Sequence, residues 1–136
     1  MSARSKARKR ALDVLYESEV RGLPVGGTLA DRVADGDPPV NEFTVALVEG
    51  VSEHIGPIDD LLSTHSVGWS LDRMPAVDRN ILRIGVYELL FDEQVPDVVA
   101  VSEAVSMARD LSTDESPAFV NGLLARLLQL KPTLGV

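Results

Sequence analysis

The chain has 136 residues, 45% of them hydrophobic and 25% charged, the size and composition of one packed globular domain. It carries a formal net charge of −8 and no cysteine, which excludes disulfides, thiolate metal sites and thiol catalysis. No apolar run approaches the roughly 18 residues of a membrane span, and Asp13, Glu17 and Glu19 follow the basic start where a secretory signal would have its apolar stretch.

Apolar residues recur at every third and fourth position, so the whole chain reads as helical. The first ten residues hold Arg4, Lys6, Arg8, Lys9 and Arg10 and no acid; the rest of the chain has eight bases against 21 acids. A basic arm at 1–10 is thus mounted on an acidic body, and a polyanion is drawn to the arm. The blander reading of the same segment is a solubilising terminus. The spacing predicts a first helix from about Ala3 to Arg21, closed by Gly22, with Ala7, Ala11, Val14, Leu15 and Ser18 inward and Leu12 beside them. The same 100° step puts Arg4 and Arg8 near that stripe, which predicts an end that overhangs the bundle and is basic around much of its circumference.

Residues 22–41 hold four glycines and three prolines, and predict a loop with one short helix from Thr28 to Ala34. A helix from about Glu42 to Ile55 follows, with Phe43, Leu47, Val48, Val51 and Ile55 on one side, and Gly56-Pro57 breaks it. Next comes a short helix, Ile58 to His65, that carries Leu61 and Leu62 inward. A broadly apolar helix from Met74-Pro75 to Phe91 is central and mostly buried. Pro96 and Asp97 open a helix that ends at Leu111. Ser116 as N-cap and Pro117 in the first turn open the last, which ends near Leu130. No internal repeat indicates a solenoid.

An enzyme needs a constellation of reacting groups, and none is found. His54 and His65 are the only histidines and no His-Glu-x-x-His pattern joins them, so neither metal nor cofactor is called for. Asp59 and Asp60 point about 100° apart on a helix and read as acids of a first turn. Asn121-Gly122 lies among Phe119, Val120, Leu123 and Leu124, so it reads as helix, with Gly122 allowing close helix contact. Trp69 reads as a plug between helices. Tyr16, on the arm-bearing helix, and Phe119, in the first turn of the last helix, are placed to stack on a base; the alternative is that both rings are core or core edge.

Four runs carry a resemblance to a known family. They are Ala7-Arg8-x-x-Ala11-Leu12-x-x-Leu15-Tyr16; Asp78-Arg79-x-Ile81-Leu82-Arg83-Ile84-x-Val86-x-Glu88-Leu89; Pro96 through Val101 with Glu103-Ala104; and Phe119-Val120-Asn121-Gly122-Leu123-Leu124. Together they cover nearly the whole chain apart from 22–41, and the chain resembles the NusB family of transcription antitermination factors. The resemblance implies one all-α domain over 1–136, two packed three-helix bundles of about seven helices. It implies binding to single-stranded boxA RNA of ribosomal RNA leader transcripts, with a NusE-type small-subunit ribosomal protein and the RNA polymerase antitermination complex, in the cytoplasm. The RNA-binding positions fall on Arg4, Lys6, Arg8, Lys9, Arg10, Tyr16 and Phe119, and the partner-binding positions on Asp78 and Glu115. Ser102 departs from the family, which often has asparagine there, and some members form homodimers that mask the arm. Two rivals are a helical protein-interaction module without RNA binding and a relic of the N-terminal domain of an rRNA cytosine methyltransferase. The latter lacks room for a cofactor domain and has no cysteine nucleophile.

Overall fold

The computed structural model describes residues 2–135, and among them every regular element is helical. The chain divides into two compact units, residues 1–55 and 56–136.

The first unit contains α1 (Ala3–Val20), α2 (Leu29–Asp35) and α3 (Glu42–Glu53). Helix α1 begins where Ser2 accepts a hydrogen bond from the Ser5 amide at 3.0 Å, a side-chain cap for one of the orphan donors of the first turn. Its predicted inward residues, Ala7, Ala11, Leu12, Val14, Leu15 and Ser18, are all buried. The small side chains of Ala7 and Ala11 bring α1 close to α3, where Thr44 donates to the Ala7 carbonyl at 2.9 Å, and Leu47, Val48 and Val51 complete the core. The segment before α2 is tied back through Thr28. Its amide donates to Ser18 Oγ at 3.1 Å, and its hydroxyl donates to the Val14 carbonyl at 3.2 Å. Arg32 of α2 then donates to Glu17 of α1 at 2.7 Å, and this hydrogen bond holds the Glu17 carboxyl below its ordinary pKa. In the loop, Gly26 has φ +73°, and a Cβ there would sit 2.8 Å from Val48 Cγ1, so both the backbone and the space require glycine.

The second unit contains all but the first residue of α4 (Ile55–His65), with α5 (Ala76–Val86), α6 (Asp97–Leu111) and α7 (Ser116–Leu130). The break before α4 falls at His54, earlier than predicted, and Gly56-Pro57 lies inside the first turn of α4. Proline fits there because the first-turn amides have no intrahelical acceptor. Helix α5 continues through a π-helical turn at Tyr87–Phe91. Helices α5, α6 and α7 pack on one another around Ile81, Leu82, Ile84, Ala104, Ala108, Val120, Leu124 and Leu127. The glycine that permits the approach is Gly85, where a Cβ would stand 2.8 Å from Leu124 Cδ1 and 3.4 Å from Ala104 Cβ. Gly122, predicted in that role, has open space around its Cα.

Helix α5 also buries charge that its apolar periodicity conceals. Arg83 donates through Nε and one terminal nitrogen to the two carboxylate oxygens of Asp59, each at 2.9 Å, and through the other nitrogen to Asn80 Oδ1 at 3.1 Å. This fork fixes α4 to α5, and Asp59 is a structural anion, not a free first-turn acid. The Arg83 side chain is 10% exposed and that of Asp59 26%. Asp59→Ala is therefore expected to leave a largely desolvated guanidinium without its anion and to cost about 2–4 kcal/mol, below the full buried-pair range because Asp59 is partly wet. Urea denaturation followed by circular dichroism checks this; an unchanged midpoint would contradict it.

Candidate nucleic-acid interface

The basic residues of α1 sort themselves by helix face. Arg4 and Lys6 are exposed, Lys9 and Arg10 are half-buried, and Arg8 is buried. The predicted overhang is thus corrected at Arg8. Phe43, the second residue of α3, lies beneath this end of α1, with the Arg4 guanidinium 4.9 Å and the Arg8 guanidinium 5.1 Å from its ring centroid. Both distances are within the range in which a cation is attracted by the ring quadrupole. Asn41 fixes the ring's place by capping α3: its Oδ1 accepts from the Phe43 amide at 2.7 Å. The arm is therefore the first two turns of a capped helix with two cations seated on an aromatic, rather than a solubilising tail. Arg10 Nε is buried and has no hydrogen-bond partner among the described residues. Tyr16, two turns further on, is 41% exposed, which sets aside a place inside the core and leaves the core edge.

In the second unit, Phe119 is half-buried, and its ring meets Trp69 edge-to-face at 4.8 Å with an interplanar angle of 66°. Trp69 comes from the loop after α4, where Ser66 donates to its carbonyl at 2.5 Å. It thus backs the Phe119 ring more than it plugs two helices. Phe119 opens onto a groove of about 500 Å³ lined further by His65, Val67 and the outer face of α7.

The two acidic positions separate. Glu115 is exposed at the start of α7 and makes no side-chain cap bond. Asp78 is fully buried and accepts from Ser116 Oγ at 2.8 Å and from the Ser112 hydroxyl. Its expected direct contact with a partner is corrected on that ground: the carboxylate has no surface to offer and instead ties the α6–α7 loop to α5. Ser116, predicted as the N-cap of α7, spends its hydroxyl on Asp78, and Glu115 occupies the cap position. His54 Nδ1 bonds the Gly50 carbonyl at 2.8 Å. No group of three or more His, Asp or Glu side chains able to hold a metal occurs among the described residues, and no helix there is long and apolar enough to cross a membrane. Sequence reasoning did not find Phe43, because nothing in the local pattern of α3 distinguishes a core-edge ring from a ring under two cations.

The model of the NusB family matches residues 5–129. The chain is 60% identical over 134 residues to the transcription antitermination protein NusB of Thermobifida fusca, covering 98% of this chain and 94% of that one. It is 61% identical to that of Kineococcus radiotolerans, covering 98% of each. Among solved structures it is similar to NusB of T. maritima, with a TM-score of 0.82, 31% identity and coverage of 94% and 92%. It is also similar to a chain in a crystal structure of antitermination factors NusB and NusE in complex with double-stranded RNA, with a TM-score of 0.79, 31% identity and coverage of 93% and 96%.

The seating of Arg4 and Arg8 on Phe43 is testable through stability. Phe43→Leu keeps an apolar side chain and removes the ring face, so it is expected to cost about 0.5–2 kcal/mol. Phe43→Tyr, which keeps the quadrupole, is expected to unfold like the parent. Equal urea midpoints for the leucine and parent proteins would show that the ring and cations are merely adjacent.

Proposed function

The chain belongs to the NusB family, and from that premise we propose that it is a non-catalytic transcription antitermination factor acting in the cytoplasm. It binds the boxA element of leader transcripts together with a NusE-type ribosomal protein and delivers both to elongating RNA polymerase. The observation that carries this reading is the capped basic turn of α1, where exposed Arg4 and Lys6 stand beside the Phe43-seated Arg8 on an otherwise acidic chain. Such a chain repels phosphate over most of its surface and concentrates attraction where its cations are. The similarity to a NusB chain solved with NusE and double-stranded RNA supports the same pairing of partners.

Within this reading Arg4, Lys6, Lys9 and Arg10 face phosphates, and Arg8 contributes chiefly by holding Phe43 and the helix end. Tyr16 and Phe119 offer ring surface to bases, one in each unit. Glu115 lies on the surface that meets the basic ribosomal protein, and Asp78 acts behind it by fixing the loop from which Glu115 projects. The whole chain works as one domain, with 1–10 as the RNA-binding arm and 22–41 as its variable segment.

Two outcomes test the reading. Arg4→Ala with Lys6→Ala removes two exposed charges, one of them a cation on Phe43, and leaves the buried face of α1 intact, so binding to boxA RNA should weaken. The slope of log K against log salt should flatten by roughly 0.7 for each phosphate that is no longer neutralised on a single strand; an unchanged slope in titrations at several salt concentrations would refute the electrostatic role of the arm. Glu115→Lys should slow association with the NusE-type protein at low salt, because rim charges act mainly on encounter. A parental stopped-flow rate would move the partner surface elsewhere.

A further inference from the structure

The groove beside Phe119 continues past the aromatic pair along α7. Its floor is Ala118, Phe119, Gly122, Ala125, Arg126 and Gln129, residues spaced three and four apart on one face, and His65 and Val67 form the opposite wall. No aspartate or glutamate lines it, in a unit where acids outnumber bases. The other arginines and the lysine of this region are mostly committed: Arg83 to Asp59, Arg79 to the Leu71 and Met74 carbonyls, Lys131 to Asp97. Arg126 is exposed and makes no hydrogen bond or ion pair among the described residues. Gly122 contributes by absence: no side chain stands there and the space around its Cα is open, between the ring and the arginine.

We infer that this groove is a nucleotide-binding channel in which a base stacks on Phe119 and the RNA backbone runs along α7 to Arg126, with Gln129 and His65 bordering the phosphate. This rests on the RNA-binding reading above and extends it to a cation outside the arm. Phe119 and Arg126 are seven residues apart, about 10 Å along the helix axis at 1.5 Å per residue, so the ring and the guanidinium engage successive parts of one strand. The channel has the two components of single-strand recognition without sequence readout, a stacking surface and a basic track. The charge pattern selects a polyanion over a basic protein, which an acid-free groove with an unpaired arginine would repel.

The test is fluorescence anisotropy with labelled single-stranded boxA RNA, over a salt series, on the full chain. Arg126→Ala should weaken binding several-fold and flatten the salt slope by roughly 0.7, Arg126→Lys should keep the parental slope, and Arg109→Ala, an exposed arginine outside the groove, should bind like the parent. Parental affinity and slope for Arg126→Ala, with Phe119→Ala weakened, would overturn the channel while leaving the RNA-binding reading standing. If Phe119→Ala and the Arg4/Lys6 double variant also bound like the parent, the reading itself would fall. If Arg126→Ala weakened only the NusE-type protein, the groove would belong to that partner and the inference would be wrong.

Discussion

Two guanidinium groups of like charge share one phenylalanine ring at the start of this chain, and the basic end of α1 depends on that arrangement. Arg4 and Arg8 lie one turn apart on the same face, where like charges repel. Burying Arg8 costs further desolvation. The face of Phe43 attracts both guanidinium groups and so works against these penalties, and the Asn41 cap that starts α3 holds the start of that helix in place. The consequence is a cationic turn with its direction fixed before any ligand arrives, which reduces the ordering entropy that a free tail would lose on binding.

The second unit solves a different problem, how to hold a loop still without an apolar plug. Asp78 is buried in the first turn of α5 and takes hydroxyl hydrogen bonds from Ser112 and Ser116, on either side of the turn into α7. Arg83, five residues on, reaches the other way to Asp59 of α4. The central helix thus carries an anion for one neighbour and a cation for another, with apolar packing between. Removing either partner would leave a buried polar group unsatisfied, so the network specifies where α4 and the α6–α7 loop sit, and with them Phe119, Trp69 and Glu115.

The helices themselves were legible because their apolar residues repeat at helical spacing. Ala7, Ala11, Val14 and Leu15 are buried as their 100° step predicts, and the short helix after Thr28 forms between its glycines. What the sequence could not show were pairings across elements. Asp59 and Arg83 are 24 residues apart, and Phe43 meets Arg4 and Arg8 from a different helix. Asp78 stood out only as a partner-binding position implied by the resemblance, and only the packing of α6 and α7 reveals that it is enclosed. Gly85 and Gly122 lie in equally apolar runs, and the close approach occurs at Gly85 because its face meets Leu124. At the candidate site, the arm's charge and the two rings were visible as residue types. Their surroundings, Phe43 under one group and Trp69 behind another, were not.

RNA should therefore meet the fixed cations of α1, exposed Tyr16 and half-buried Phe119, and avoid the acidic surface. Titrating isotope-labelled protein with boxA RNA and following backbone and side-chain resonances tests this most directly. Large, saturable shifts are expected at Arg4, Lys6, Tyr16 and Phe119, with α2 and its acids silent. Saturable shifts confined to other surfaces, with these four residues unmoved, would contradict it.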